Sequence, residues 1–314
     1  MGGDNNELEN QLRNNLGKIS HDSSDKTLIS TVGYIKTPTE ILPSKGMFNS
    51  RDLKISKRPL NLMEVKHYSS MNKDDYTEAE NRTLETLERG YEIIQGGERK
   101  SIKILKETDK LFLLFDLRDI TMHANQREVK IMQNLTCPYC GKKHSVEVKN
   151  SIFSYYDIPK GVMKYYDENE RCFIIKHENL EDPIRLYIPD IGTQTFLRNY
   201  IYDAEVKKSK DEPVYYDSTF LSFAQFLIPS YEVLNNHYIE NLHRQYTSSW
   251  SYDKFEVIKT FSEMVNIGIK PSITIKCDSE TCKSEKEVRS VLRFRGGLSA
   301  IFNISNIAQS IFED

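Results

Sequence analysis

The chemistry most legible in this 314-residue chain sits in its five cysteines. Four of them form two short pairs, Cys137-Pro138-Tyr139-Cys140 and Cys277-Asp278-Ser279-Glu280-Thr281-Cys282. Two to four residues between thiols let both sulfurs of a pair face one point from a single turn. Two such pairs complete the tetrahedral ligand set of a structural zinc ion. Gly141 follows the first pair and frees the backbone to swing round, so that nearby amides can point at the sulfurs. Cys137, Cys140, Cys277 and Cys282 are therefore the expected metal ligands, with zinc as a structural cofactor. His144 could replace one of them, although it reads first as an exposed strand residue. Cys172 lies in an apolar segment and reads as a small buried hydrophobe.

Other chemistries fit less well. Cys-Pro-Tyr-Cys is also the tetrapeptide of glutaredoxins, where the first thiol sits at a helix N-terminus and ionises easily. A thiol-disulfide oxidoreductase using Cys137 and Cys140 would need a helix after the motif. Gly141 to Val148 instead alternates like a strand. Glu64-x-x-His67 and Glu240-x-x-His243 match the pattern of di-iron bundles, but such sites need two further inward carboxylates, and the flanking residues here are polar. His237 and His243 are six apart and would face different sides of a helix. Gln95-Gly96-Gly97 and Arg295-Gly296-Gly297 are short and lack the following Lys of a phosphate loop. Neither Gly-x-Ser-x-Gly nor His-Glu-x-x-His occurs. The reading is a protein that is not an enzyme, with no catalytic or cofactor-binding residues beyond the metal ligands.

Charge and composition narrow the partners. The net charge is -3, so no global basic field draws the chain to nucleic acid. The start, Met1 to Glu7, lacks the basic end and apolar run of a signal peptide, and Asn6 stands where a myristoylation signal wants Ser or Thr. The longest apolar clusters, near Leu111–Phe115 and Phe220–Ile228, are too short for a membrane span. An odd cysteine count without a secretory signal fits a reducing compartment, where cysteines serve metals more than disulfides.

The elements that must position the cysteines can be read from period and punctuation. A helix begins after Asn61, with Glu64 placed for a capping box. Another runs from Thr77 to Ile94 and stops at Gly96-Gly97. A third, Lys110 to Ile120, is capped by Thr108 and is apolar nearly all round, so it belongs in a core. From Arg127 the period changes to two. Val129 and Ile131, then Val146 and Val148, read as strands on either side of the first cysteine pair. Met163–Tyr166 and Cys172–Ile175 suggest a hairpin, and Ile184–Ile188 a further strand. Helices resume from Thr193 or Thr195 to Val206, Ser218 to Leu227, Tyr231 to Thr247, and Tyr252 to Asn266. Ser251 caps the last, and Gly268 terminates it. Ile273–Cys277 and Val288–Phe294 bracket the second pair, and Leu298–Ile311 reads as a short helix. The fold class is α+β: a helical body with β-hairpins forming a zinc-ribbon-like pair of knuckles.

The order of several segments resembles one family. Leu42-Pro43-Ser44-Lys45-Gly46, then Arg58-Pro59-Leu60 before the helix with Glu64, resembles the opening of T-even-type bacteriophage baseplate hub and baseplate assembly proteins. Thr108 to Thr121, rich in Leu and Phe and carrying Leu117-Arg118, is similar to the family's next element. Cys137–Cys140 and the second pair at Cys277 and Cys282 follow in the family's order. The resemblance covers residues 38–150 and, more loosely, 215–300. It implies a structural or assembly protein of a contractile tail, found in the virion baseplate or in host cytoplasm during assembly. Its implied partners are other tail and baseplate proteins, with no membrane, nucleic acid or small-molecule substrate. The alternative is a zinc-ribbon module for nucleic acid or transcription machinery, against which the lack of a basic, aromatic groove counts.

The chain organisation expected from these signals has five parts. Residues 1–36 form a flexible N-terminal arm, and 37–126 an extended segment and helical region. Residues 127–215 carry the first knuckle and a β-hairpin insertion, 216–268 are helical, and 269–314 hold the second knuckle and the C-terminal tail.

Overall fold

The computed structural model describes residues 33–72, 75–124, 132–210, 217–265, 267–270, 272–279, 282, 287–291 and 301–302. The chain divides into residues 1–34 and 35–314, and every helix and strand belongs to the second part among the described residues. The expected arm falls almost wholly outside the described residues, as do Val129, Ile131 and most of the expected tail helix.

The first sheet is antiparallel throughout, in the order β1-β2-β3-β4. After β1 (Ile35–Thr37) and β2 (Lys54–Lys57), the chain leaves the sheet for α1 (Leu62–Ser69) and α2 (Tyr76–Gly90). It returns as β3 (Tyr91–Gln95) and β4 (Glu98–Lys100). Helix α1 begins where its capping box predicts: the Asn61 side chain accepts from the Glu64 N–H, and the Glu64 carboxylate accepts from the Asn61 N–H. Helix α2 does not continue to Ile94. Tyr91 to Ile94 belong to β3, because Gly96 and Gly97 both take positive φ, 64° and 80°, and turn the chain back on itself. Two consecutive positive-φ residues fit a tight antiparallel hairpin. Tyr91 and Ile93 are then buried beside Ile55 of β2.

Helix α3 (Lys110–Ala124) is the centre of the main core. Leu113, Leu114, Phe115 and Leu117 are at most 1% exposed, as an all-round apolar helix requires. Thr108 does not cap it. A 3-10 turn, Glu107–Asp109, precedes the helix, and the Thr108 hydroxyl is buried without a hydrogen-bond partner. Several other polar groups around α3 are paired. Lys57 reaches both oxygens of Asp116 at 2.6 and 2.7 Å, and the Tyr91 hydroxyl donates to Leu113 O and Asp116, each at 2.9 Å. Buried Arg118 donates to Ile301 O at 2.7 Å, while the Phe302 ring meets Tyr68 edge-on at 5.0 Å. Residues 301–302 thus close the core, although they lie about 180 positions from Arg118.

The Leu42–Gly46 segment is fastened just before α3. The Ser44 N–H and hydroxyl donate to the two oxygens of Asp109, at 2.8 and 2.7 Å, and both residues are buried. Burial raises the Asp109 carboxyl to about 6, against the lowering effect of the two Ser44 bonds and of Lys106. Lys106 is itself buried, and desolvation holds it below the usual lysine range despite Asp190 and Asp109 nearby. A second charged knot ties together distant parts of the chain. Lys110 contacts Glu80 at 2.7 Å and Glu107 at 2.6 Å, and Arg198 contacts the same two carboxylates at 3.0 and 3.1 Å.

The remaining strands are short. β5 (Met132–Thr136) and β6 (Lys143–Glu147) form one hairpin, and β7 (Tyr155–Tyr156) follows it. The short helix α4 (Lys160–Met163) leads to a sheet of β8 (Tyr166–Asp167), β9 (Cys172–Ile175) and β10 (Ile184–Leu186), in the order β10-β9-β8. The hairpin expected from Met163 therefore starts later, at Tyr166. Next come α5 (Ile191–Lys208), α6 (Ser218–Ala224), α7 (Asn236–Ser248) and α8 (Tyr252–Met264). Asp190, not a threonine, caps α5 through the Thr193 N–H. The single helix expected from Tyr231 is a 3-10 turn, Tyr231–Val233, and then α7, because Asn235 caps a new start. Ser251 caps α8 as expected. Gly268, at φ +111°, terminates nothing: it opens β11 (Gly268–Ile269), which pairs with β7. β12 (Ser272–Lys276) and β13 (Glu287–Val291) form the last hairpin. The architecture is α+β, as read from the sequence. Among the described residues, no helix is long and apolar enough to cross a membrane.

Candidate metal centre

Both cysteine pairs sit where a hairpin turns. Thr136 and Lys143 are the last paired residues of β5 and β6, so residues 137–142 form the first loop. It is closed by Cys137 N–H to Lys142 O and Gly141 N–H to Cys137 O, each 2.9 Å. Gly141 has φ +73°, the left-handed conformation that glycine adopts without strain. Lys276 and Glu287 are the last pair of β12 and β13, so Cys277 and Cys282 lie in the loop between them. Cys282 N–H donates to Ser279 O at 2.9 Å, which curls that loop back toward its start.

The two loops meet. Cys137 Sγ lies 3.8 Å from Cys282 Sγ, and Cys140 Sγ lies 3.7 Å from Cys277 Sγ. All four sulfurs are within 4.8 Å of one another. A tetrahedron of thiolates around an ion with bonds of about 2.3 Å has sulfur–sulfur edges of about 3.8 Å. A disulfide would bring a pair to about 2.0 Å. The cluster has the dimensions of a metal ion's ligand shell, and all four residues chosen from the sequence are in it. Cys137 is only 1% exposed and belongs to the main core with Leu135, Val148 and Ile273. Cys140, Cys277 and Cys282 are half-buried and pack against that core.

The thiols share protons unevenly. Desolvation works against the Cys137 thiolate, but N–H groups of Tyr139 and Cys140 and the thiols of Cys140 and Cys282 donate to it and bring it down to about 7. The Ser279 N–H favours the Cys277 thiolate, yet burial and the surrounding thiols push Cys277 up to about 12. Neighbouring acids that cannot all ionise divide in this way. A divalent cation would reverse the balance by displacing the protons.

Charged groups link the loops from outside. Lys142 contacts Asp278 at 2.8 Å, and His144 Nδ1 lies 3.3 Å from the same Asp278 oxygen. The His144 side chain is only 9% exposed, so it is not the exposed strand residue its pattern suggests. Its ring is enclosed because β6 lies against the second loop, a contact invisible to local alternation. Cys172 is fully buried in β9, away from the cluster, and burial pushes its thiol up.

The other sequence candidates are engaged elsewhere. Glu64 is held by Arg58 at 2.7 and 3.0 Å, and His67 contacts Glu85 at 2.6 Å, so the two do not form a metal pair. The Cys137–Cys140 turn is followed by a strand, β6, and not by the helix that a redox-active pair requires. Glu240 and His243 line a cavity of about 450 Å³ between α5, α6 and α7, along with Asp203, Lys207, Asp217 and Arg244. Sequence reasoning missed this cavity, because its walls come from three helices and no short motif marks it. No family model matches the chain, and no curated protein or solved structure matches it either.

Proposed function

We propose that this protein is a non-catalytic structural or assembly component of a contractile phage tail baseplate, in which zinc clamps two hairpins from distant parts of the chain. The observation that carries the zinc reading is the four-sulfur cluster, whose edges of 3.7 and 3.8 Å match a tetrahedral tetrathiolate site. Four soft thiolates in a closed tetrahedron favour zinc among available divalent ions and leave no open position for substrate. The ion then supplies folding free energy, since the unfolded chain holds no preformed site.

The baseplate reading rests on the sequence resemblance. In the fold the two most similar segments pack together, with Ser44 of Leu42–Gly46 bonded twice to Asp109, just ahead of the Leu/Phe helix α3. Metal analysis of untagged protein tests the first claim, with one zinc per chain expected. A pull-down from infected cells tests the second. Recovery of tail proteins is expected, and recovery of polymerase or nucleic acid alone would overturn the baseplate role.

A further inference from the structure

We propose that His144 is a fifth donor of this metal centre, able to take the place of Cys277; the proposal rests on the reading of the sulfur cluster as a metal site. Three observations converge on it. A ring nitrogen of His144, the Cys277 sulfur and an Asp278 carboxylate oxygen lie within 4.8 Å of one another. Nδ1 faces Asp278 at 3.3 Å, and Nε2 is buried with no hydrogen-bond partner. Imidazoles that ligate metals are held in this manner: one N–H donates to a carboxylate, and that bond fixes the tautomer and leaves the other nitrogen as a lone pair. A buried ring nitrogen without a partner is rare unless something binds it.

The topology explains why Cys277 is the ligand replaced. His144 stands on β6, opposite Leu135, at the base of the first knuckle. Asp278, which orients it, directly follows Cys277 in the second loop. Lys142 holds Asp278 at 2.8 Å, so the carboxylate stays over the first knuckle when Cys277 is lost. His144 lies within 4.8 Å of Cys277 and Asp278 but is not grouped with the other three thiols, so its ring must move toward them for the ion to keep Cys137, Cys140 and His144 from the first loop and Cys282 from the second. Four donors remain, and the hairpins stay tied. Cys277 is half-buried and open to oxidants and electrophiles, whereas Cys137 is covered. Cys140 and Cys282 are also half-buried, and the fifth donor preserves the clamp when Cys277 is the thiol modified.

Cobalt(II) titration of the full chain, read by its visible and near-ultraviolet spectrum, tests this. Wild type is expected to show a four-thiolate spectrum, and His144→Gln to keep it with similar affinity. Cys277→Ala is expected to retain cobalt with about one quarter less sulfur-to-metal charge transfer and a visible band moved to shorter wavelength, the mark of three sulfurs and one nitrogen. Adding His144→Gln to Cys277→Ala leaves only three thiolates and is expected to lose cobalt. Cys282→Ala, with no spare donor, is expected to lose cobalt outright. In case Cys277→Ala does not fold, the cobalt-loaded wild type is treated with one equivalent of iodoacetamide and the alkylated thiol identified by peptide mapping. Chains alkylated at Cys277 are expected to keep cobalt in wild type and release it in His144→Gln. The proposal is overturned if Cys277→Ala or alkylation loses cobalt as fully as Cys282→Ala, or if His144→Gln changes nothing in the Cys277→Ala background. It is equally overturned if His144→Gln alone abolishes binding. A wild-type chain that binds no cobalt takes down the metal reading itself, and this proposal with it.

Discussion

Asp109 should make the protein less stable as pH rises through the mildly acidic range. Its carboxyl is fully buried, bonded twice to Ser44, and raised from 3.8 to about 6. Between these values the folded state holds a proton that the unfolded state has released. Stability from this group is therefore fully present below pH 3.8 and is lost as pH rises through about 6. A shift of about two pH units corresponds to about 3 kcal/mol. Asp109→Asn keeps the shape and can still accept from the Ser44 N–H, but it cannot ionise. Urea unfolding of both proteins at pH 4, 5, 6 and 7 isolates the group, because other titrations cancel in the difference. Wild type minus Asp109→Asn is expected to fall by about 2 kcal/mol from pH 4 to pH 7, the first part of the loss having occurred below pH 4. A difference that stays flat across that range refutes the buried-acid reasoning and would mean that the charge is solvated or fully matched by Lys106.

Three other perturbations probe the frame. If the cluster holds the proposed metal, stripping it with a chelator frees the 137-position span from Cys140 to Cys277, which by loop-closure entropy lowers stability by about 5 kcal/mol. An unchanged urea midpoint in metal-free protein would show that the cluster clamps nothing. Glu80→Ala removes one of the two carboxylates that Lys110 and Arg198 share and is expected to cost about 3 kcal/mol, measured by chemical denaturation. A cost near zero would mark that knot as solvated. Gly90→Ala places a Cβ 2.4 Å from Leu117 Cδ2, in the fully buried centre of the core. A thermal melt should show destabilisation of about 1–3 kcal/mol, and no change would mean that α2 and α3 pack more loosely than the structure indicates.

Much of the fold was legible where the cause was local. The Asn61 and Ser251 caps, the all-round apolar α3 and the strands bracketing both cysteine pairs follow from residues within a few positions of each other. One failure was also local and arose where two signals competed. Leu84, Leu87, Tyr91 and Ile94 continue a helical period past Gly90, yet the Gly96-Gly97 turn recruits Tyr91–Gln95 into the sheet beside β2. That turn signal is present in the sequence, but Gly96-Gly97 after a helical period reads equally as a helix stop. Thr108 failed as a cap because Asp109 is drawn inward to Ser44, 65 residues away.

The sequence by itself determined which four residues could hold a metal and that each pair would sit on a turn, because ligand spacing and hairpin period are short-range properties. Only the tertiary structure decided that the pairs meet with edges of 3.7 and 3.8 Å, since that depends on how the long stretch of chain between them folds. It also decided the place of His144. Strand alternation assigned its side chain to solvent, but the second loop closes over that face and turns it into a buried neighbour of Cys277 and Asp278. Burial is set by what packs from far along the chain, and local pattern carries no record of it.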